Sequence, residues 1–153
     1  NSINLRFPTI FGPSPKMRMD LLINDFTYRA MKERVLLVYD GHAIRTFLHV
    51  EDAARGYIFS INNCAKMINQ KVYNIGDEKL NYSKKQIAEI IQKRIKCQII
   101  DSEVKDKDYR NFIVNFDRIN GLSFEVTKTV EDGIMELKKI YSFYEPNIKY
   151  KYI

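Results

Sequence analysis

Arg45 opens the stretch richest in chemistry in this 153-residue chain, Arg45-Thr-Phe-Leu-His-Val-Glu-Asp-Ala-Ala-Arg-Gly-Tyr57. A guanidinium is planar, permanently charged and able to give two parallel hydrogen bonds, so an arginine just ahead of a strand suits a phosphate or a carboxylate. The residues behind it read as a strand, Thr46 to Val50, turning directly into a helix with Glu51 and Asp52 in its first turn. Carboxylates there complement the exposed amides and the positive end of the helix dipole. The alternative for Arg45 is an ordinary surface ion pair.

Other reactive types are scattered. Arg6 lies inside an apolar run and reads as structural, with a partner in the sheet. Lys16 and Arg18, beside Gly12-Pro13-Ser14-Pro15, suit a phosphate or plain solvent equally. His49, next to Phe47 and Leu48, reads as a packed histidine rather than a base, and His42 carries no signal. No His, Cys, Asp and Glu cluster has metal-ligand spacing, so no metal site is expected. Cys64 and Cys97 have no paired spacing and read as reduced thiols.

The elements that must position these groups follow from periodicity. Ile3 to Phe11 reads as a strand stopped by the Gly-Pro loop. Met19, Leu22, Ile23, Phe26 and Ala30 recur at helical spacing over 18–32. Val35 to Tyr39 is a strand, and its relation to the Arg45 strand is left open between a hairpin and two separate placements. A helix over 50–62, a strand over 72–77, a helix over 84–96 capped by Asn81-Tyr-Ser83 and a strand over 98–102 come next. A charged loop is expected at 106–108, and 111–119 is ambiguous between strand and helix. Thr129-Val-Glu-Asp132 opens a last helix to about Tyr141 as a capping box, and 145–153 should lie on the surface. Strands alternating with helices give an α/β class with partly parallel pairing and no internal repeat.

Length and a 45% hydrophobic share suit a folded globular domain, and a net charge of +6 is spread along the chain rather than gathered in a tail. That spread fits anionic small ligands as well as nucleic acid, and nucleic acid is placed second because the lysines are scattered among acids and no aromatic-basic motif stands out. No apolar run is long enough to span a bilayer and no leader pattern opens the chain, so a soluble cytoplasmic protein without a membrane partner is expected. The chain starts without a methionine and enters a strand at once, as a piece cut from a longer protein would.

Leu5-Arg-Phe-Pro-Thr-Ile-Phe-Gly-Pro13, Arg45 to Ala54 and Val72-Tyr-Asn-Ile-Gly76, in this order and spacing, resemble the C-terminal half of the extended short-chain dehydrogenase/reductases. These are the NAD-dependent epimerases and dehydratases of nucleotide-activated sugars. Asp108-Tyr-Arg-Asn-Phe-Ile-Val-Asn-Phe-Asp-Arg-Ile119 and Thr129 to Leu137 are similar to that family's closing segments, so residues 1–153 as a whole fall within the resemblance.

The resemblance implies the C-terminal part of a Rossmann-type sheet plus the small substrate-binding domain, with the dinucleotide-binding half absent. It implies a nucleotide-diphosphate sugar as ligand, with Arg45 and Arg110 on the diphosphate and Asn24 near the nucleotide. Phe7, Pro8 and Thr9 follow the strand that passes under the nicotinamide. Thr9 stands where many relatives carry Asn and is taken as a substrate contact too. NAD or NADP would be held mainly by the missing half, which also carries the Tyr-x-x-x-Lys that moves the proton while hydride passes to the nicotinamide. The parent enzyme would be a homodimer. This chain alone holds no catalytic residue in this reading and should be inactive.

Tyr28-Arg-Ala-Met-Lys32 does match Tyr-x-x-x-Lys, but it follows the Gly12-Pro13 turn and is assigned to a solvated helix face. None of the six glycines forms a dinucleotide loop. A stand-alone module that binds an anionic ligand without chemistry is the alternative function.

Overall fold

Pro8 divides the first apolar run into two strands with different partners. In the computed structural model, which describes residues 2–68, 72–104 and 110–146, β1 is Asn4–Arg6 and β2 is Thr9–Phe11. A proline has no N–H to give a ladder, so one continuous strand over 3–11 is not formed. β1 runs parallel to β5, Val72–Asn74, with Leu5 opposite Tyr73. β2 runs parallel to β4, Ile44–His49, with Ile10 opposite Leu48. The step at Phe7-Pro8 therefore carries the chain from one ladder to the next.

The other strands complete a mixed α/β arrangement. β4 takes β6, Asn81–Ser83, antiparallel on its other side, with Arg45 opposite Tyr82. β3, Val35–Tyr39, pairs in parallel with β7, Gln98–Ser102, so β3 and β4 are separately placed strands rather than a hairpin. Between them, Asp40 takes a positive φ of 46° to turn the chain.

Six helices among the described residues flank these ladders. α1 is Leu22–Lys32, α2 Val50–Asn62, α3 Cys64–Met67, α4 Lys84–Arg94, α5 Asp117–Asn120 and α6 Val130–Tyr141. α1 starts four residues later than its periodicity suggests. Met17 and Met19 are buried as core residues of a loop, not a helix, because the Asn24 amide takes the Arg18 carbonyl at 3.0 Å. The boxes at α4 and α6 form as their sequences dictate: Ser83 Oγ accepts from Gln86 N, and Thr129 Oγ1 from Asp132 N, both at 3.1 Å. Residues 111–116 form neither strand nor helix and then enter α5. Strand β5 is shorter than the run to Asp77. Residues 106–108 and 147–153 lie outside the described residues.

α6 packs on α1 and α4 and closes the core. Its buried stripe is Val130, Ile134, Leu137 and Tyr141. Each such side chain contributes about 1.5–3 kcal/mol on leaving water. Gly133 is part of this seam because a Cβ there would lie 2.4 Å from Phe11 Cε2. Only a bare backbone lets α6 approach β2 so closely.

Candidate functional site

A cavity of about 880 Å³ opens where the step at Phe7-Pro8, the loop after β2, the start of β4 and the segment 110–114 meet. It gathers residues far apart in sequence. Phe7, Pro8, Thr9, Asn24, Arg45 and Arg110, each singled out from sequence, all line it.

Arg45 lies inside β4 rather than ahead of it, because the ladder with β6 already starts at Ile44. Its side chain is buried, with 6% exposure, and Nη1 donates to the Ile44 carbonyl at 3.0 Å. The guanidinium carbon sits 5.7 Å from the Phe112 ring centre, a cation–π contact that places the fork over an aromatic face. Phe112 carried no sequence signal of its own beyond its place in a matched segment.

Two asparagines explain how Arg110 reaches the same cavity. Asn111 Oδ1 accepts from Ile44 N at 2.9 Å, next to Arg45 in the chain. Asn81 Oδ1 accepts from Thr46 Oγ1 at 2.5 Å, and its amide nitrogen gives to the Val114 carbonyl at 3.4 Å. An irregular segment of backbone is thus stitched to β4 mainly by side chains, beside one backbone bond from Phe112 N to the Ile44 carbonyl at 3.5 Å. Asn81 reads in sequence only as part of a helix cap and Asn111 only as the start of an ambiguous segment, since long-range amide bonding leaves no periodicity.

Asn24 lines the cavity with its polar atoms turned to the loop. It is 2% exposed, Oδ1 accepts from Gly12 N at 3.1 Å, and Nδ2 gives to the Arg18 carbonyl and lies 3.7 Å from Met17 Sδ. It shapes the loop 12–18 from beneath. Gly12 takes φ +114°, and a Cβ there would meet His49 Nε2 at 2.7 Å. Arg6 is exposed and also lines the cavity, so its reading as a residue spent within the sheet is corrected. Lys16 and Arg18 line it too, with Asp20 as the one acid among the described residues. Arg18 is held by Asp20 through Nε at 3.0 Å and Nη2 at 2.5 Å.

Behind the cavity lies a second polar cluster. His49 is 1% exposed and packed edge-on against Phe11, as its sequence context suggests. Its Nδ1 accepts from Glu51 N at 3.3 Å, while Nε2 lies 3.1 Å from Glu136 Oε2 but off the hydrogen-bond line. Asp52 does more than face the helix dipole. Fully buried, it accepts from Thr127 N, Lys128 N, Thr127 Oγ1 and Arg55 Nη1 at 2.7–3.1 Å. Burial alone would raise its pKa; these donors outweigh it and hold the carboxyl below the usual range.

Tyr28 and Lys32 are not merely solvated. Both reach Glu145, Tyr28 by a hydrogen bond of 2.9 Å, and the Tyr28 ring packs against Tyr141. Neither is among the residues that line the cavity. Among the described residues no His, Cys, Asp and Glu group has metal-binding geometry, and no helix is long and apolar enough to cross a membrane.

Comparison with known proteins bears on the fold and the family. The model of the NAD dependent epimerase/dehydratase family matches residues 1–76. A UDP-glucuronate 4-epimerase from Thermodesulfobacterium geofontis is 30% identical over 109 residues, 71% of this chain and 30% of that protein. The UDP-glucuronic acid 4-epimerase of Bacillus cereus, solved with UDP-glucuronic acid and NAD, superimposes with a TM-score of 0.76 at 19% identity, over 92% of this chain and 45% of its own. The ADP-L-glycero-D-manno-heptose-6-epimerase of Helicobacter pylori gives 0.71 at 17% identity, over 92% and 44%. The chain spans less than half the length of the relatives it matches.

Proposed function

Because the chain belongs to the NAD-dependent epimerase/dehydratase family, we propose that it is the portion of such an enzyme that grips a nucleotide-diphosphate sugar. The observation that carries this reading is the meeting of Arg45 and Arg110, 65 positions apart in sequence, on one cavity floored by Phe7, Pro8 and Thr9. Two guanidinium groups from different elements suit a diphosphate, whose oxygens accept paired hydrogen bonds from each fork. The cation–π contact with Phe112 and the bond to the Ile44 carbonyl restrain Arg45 before a ligand arrives, which lowers the ordering cost of binding.

The solved relatives include a complex with a UDP sugar and NAD, and the same ligand classes are proposed here. A nicotinamide would supply the hydride acceptor. Phe7 and Pro8 offer an apolar surface fitting one face of its ring, and Thr9 a hydroxyl beside the sugar. The phosphates of the dinucleotide would be held by the half of the enzyme that precedes this one, since none of the six glycines here forms the required loop. Proton transfer would belong to that half too, and the parent enzyme would be a homodimer. This chain binds and orients.

Titration of UDP-glucose into the chain by calorimetry tests the reading. Binding weakened about 10–100-fold by Arg45→Gln is expected, the range for a charged hydrogen-bonding group removed from its anion. Equal binding by the variant and the unaltered chain would remove Arg45 from the site.

A further inference from the structure

The segment that brings Arg110 and Phe112 to the cavity is held tightly on its C-terminal side and lightly along 112–114. Residues 115–118 are bound to β5 by short bonds: Asn74 Nδ2 gives to the Asn115 carbonyl at 2.9 Å and Arg118 Nη1 to the Val72 carbonyl at 3.0 Å. Phe116, 1% exposed, lies so close to Gly76 that a Cβ there would be 2.7 Å from its ring. Ahead of that plug, three bonds from β4 and β6 reach the backbone of 112–114, and all are long. Phe112 N gives to the Ile44 carbonyl at 3.5 Å, Val114 N to Asn81 Oδ1 at 3.5 Å, and Asn81 Nδ2 to the Val114 carbonyl at 3.4 Å. Such bonds centre near about 2.9–3.0 Å, so these three are weak. Asn111 adds one tie of ordinary length, from Ile44 N at 2.9 Å. Phe112 and Ile113 are 43% and 69% exposed, so burial adds little there.

We propose that residues 110–114 are a strap that closes on the ligand, with 115–118 as its pivot and Asn81 as the positioning residue that latches it. The inference rests on the nucleotide-sugar reading above and adds how the site shuts. Asn81 is itself firmly placed, since Oδ1 accepts from Thr46 Oγ1 and Nδ2 gives to the Glu78 carbonyl at 3.0 Å. It offers Val114 one acceptor and one donor, as the backbone of a neighbouring strand would. A segment with weak bonds and little burial opens locally. Arg110, Phe112 and Val114 line the cavity on one side, and Thr9, Ile10 and Arg45 on the other. A ligand that touches both sides adds ties across the gap those long bonds span, and so draws the strap to its attached state.

Amide hydrogen exchange in the isotope-labelled chain, alone and with saturating UDP, tests the strap. UDP is expected to slow exchange at Phe112 and Val114 about tenfold or more, while Phe143 and Tyr144 at the exposed end of α6 keep their rates. Asn81→Asp keeps the acceptor for Thr46 Oγ1 and sets a carboxylate oxygen against the Val114 carbonyl. It should bind UDP about tenfold more weakly and lose the UDP-dependent protection at Val114, with circular dichroism confirming that it is folded. The exchange comparison uses the unaltered chain and stands whether or not that variant folds. UDP binding that leaves Phe112 and Val114 at their free rates overturns the strap and leaves the nucleotide-sugar reading standing. A folded Asn81→Asp that binds UDP as the unaltered chain does overturns the role of Asn81. No binding of UDP by the unaltered chain overturns both readings.

Discussion

The start of β4 and the start of α2 handle charge in opposite ways. At the N-terminus of α2, Asp52 is buried and saturated by four donors from Arg55, Thr127 and Lys128, and Lys128 in turn is shared between Glu51 at 3.2 Å and Glu136 at 2.7 Å. At the start of β4, Arg45 lies in a cavity lined, among the described residues, by five cationic side chains and Asp20. Charge matched within the chain belongs to the fold, because a buried carboxylate is tolerated only when its hydrogen bonds are made. Charge gathered in excess at a concave surface serves a ligand from outside. The seam and the cavity should therefore respond to different perturbations.

The largest expected effect is on the seam. Asp52→Ala orphans the Thr127 and Lys128 amides and should lower the unfolding free energy by about 3 kcal/mol, read from urea midpoints. Gly133→Ala should cost about 2 kcal/mol, since the new methyl must displace Phe11. A loss of nucleotide affinity from either variant while it remains folded would break the separation between the two regions.

Acid sharpens the contrast. The folded Asp52 carboxyl titrates below its unfolded value, so its contribution is complete above about pH 4 and is lost as pH falls through the depressed value. The urea midpoint should fall on acidification through that window, and less steeply in Asp52→Asn. Parallel pH profiles would show that Asp52 is not the group responsible.

At the cavity the expected change is in affinity with little change in stability. Arg110→Gln should weaken UDP binding about tenfold while leaving the urea midpoint within about 0.5 kcal/mol of the unaltered chain. The smallest effect belongs to Glu145, whose exposed pairing with Lys32 and Tyr28 should leave the melting midpoint unmoved when it becomes Gln.

The elements were mostly legible in the sequence because periodicity and caps are local. β3, β7, α2 and α6 fall where their patterns place them, and Ser83 and Thr129 start their helices by side-chain chemistry that the sequence displays. The breaks were less legible. Pro8 was visible, but that it hands the chain from β5 to β4 depends on partners distant in sequence. α1 starts late because Asn24 captures the preceding loop, a contact with no period. Arg45 and Arg110 were readable through their motifs. The devices that bring them together, Asn81, Asn111 and Phe112, were not, because amide bonds and ring contacts across the chain leave no trace in local composition.

The most direct test of the division between seam and cavity is a titration of UDP into the isotope-labelled chain, followed by amide chemical shifts. Shifts concentrated at Thr9, Gly12, Arg45, Thr46 and Phe112, with Asp52, Thr127 and Gly133 unmoved, are the expected result. Saturable shifts centred on Asp52, Thr127 and Gly133, or none at millimolar UDP, would contradict a ligand site built on Arg45 and Arg110.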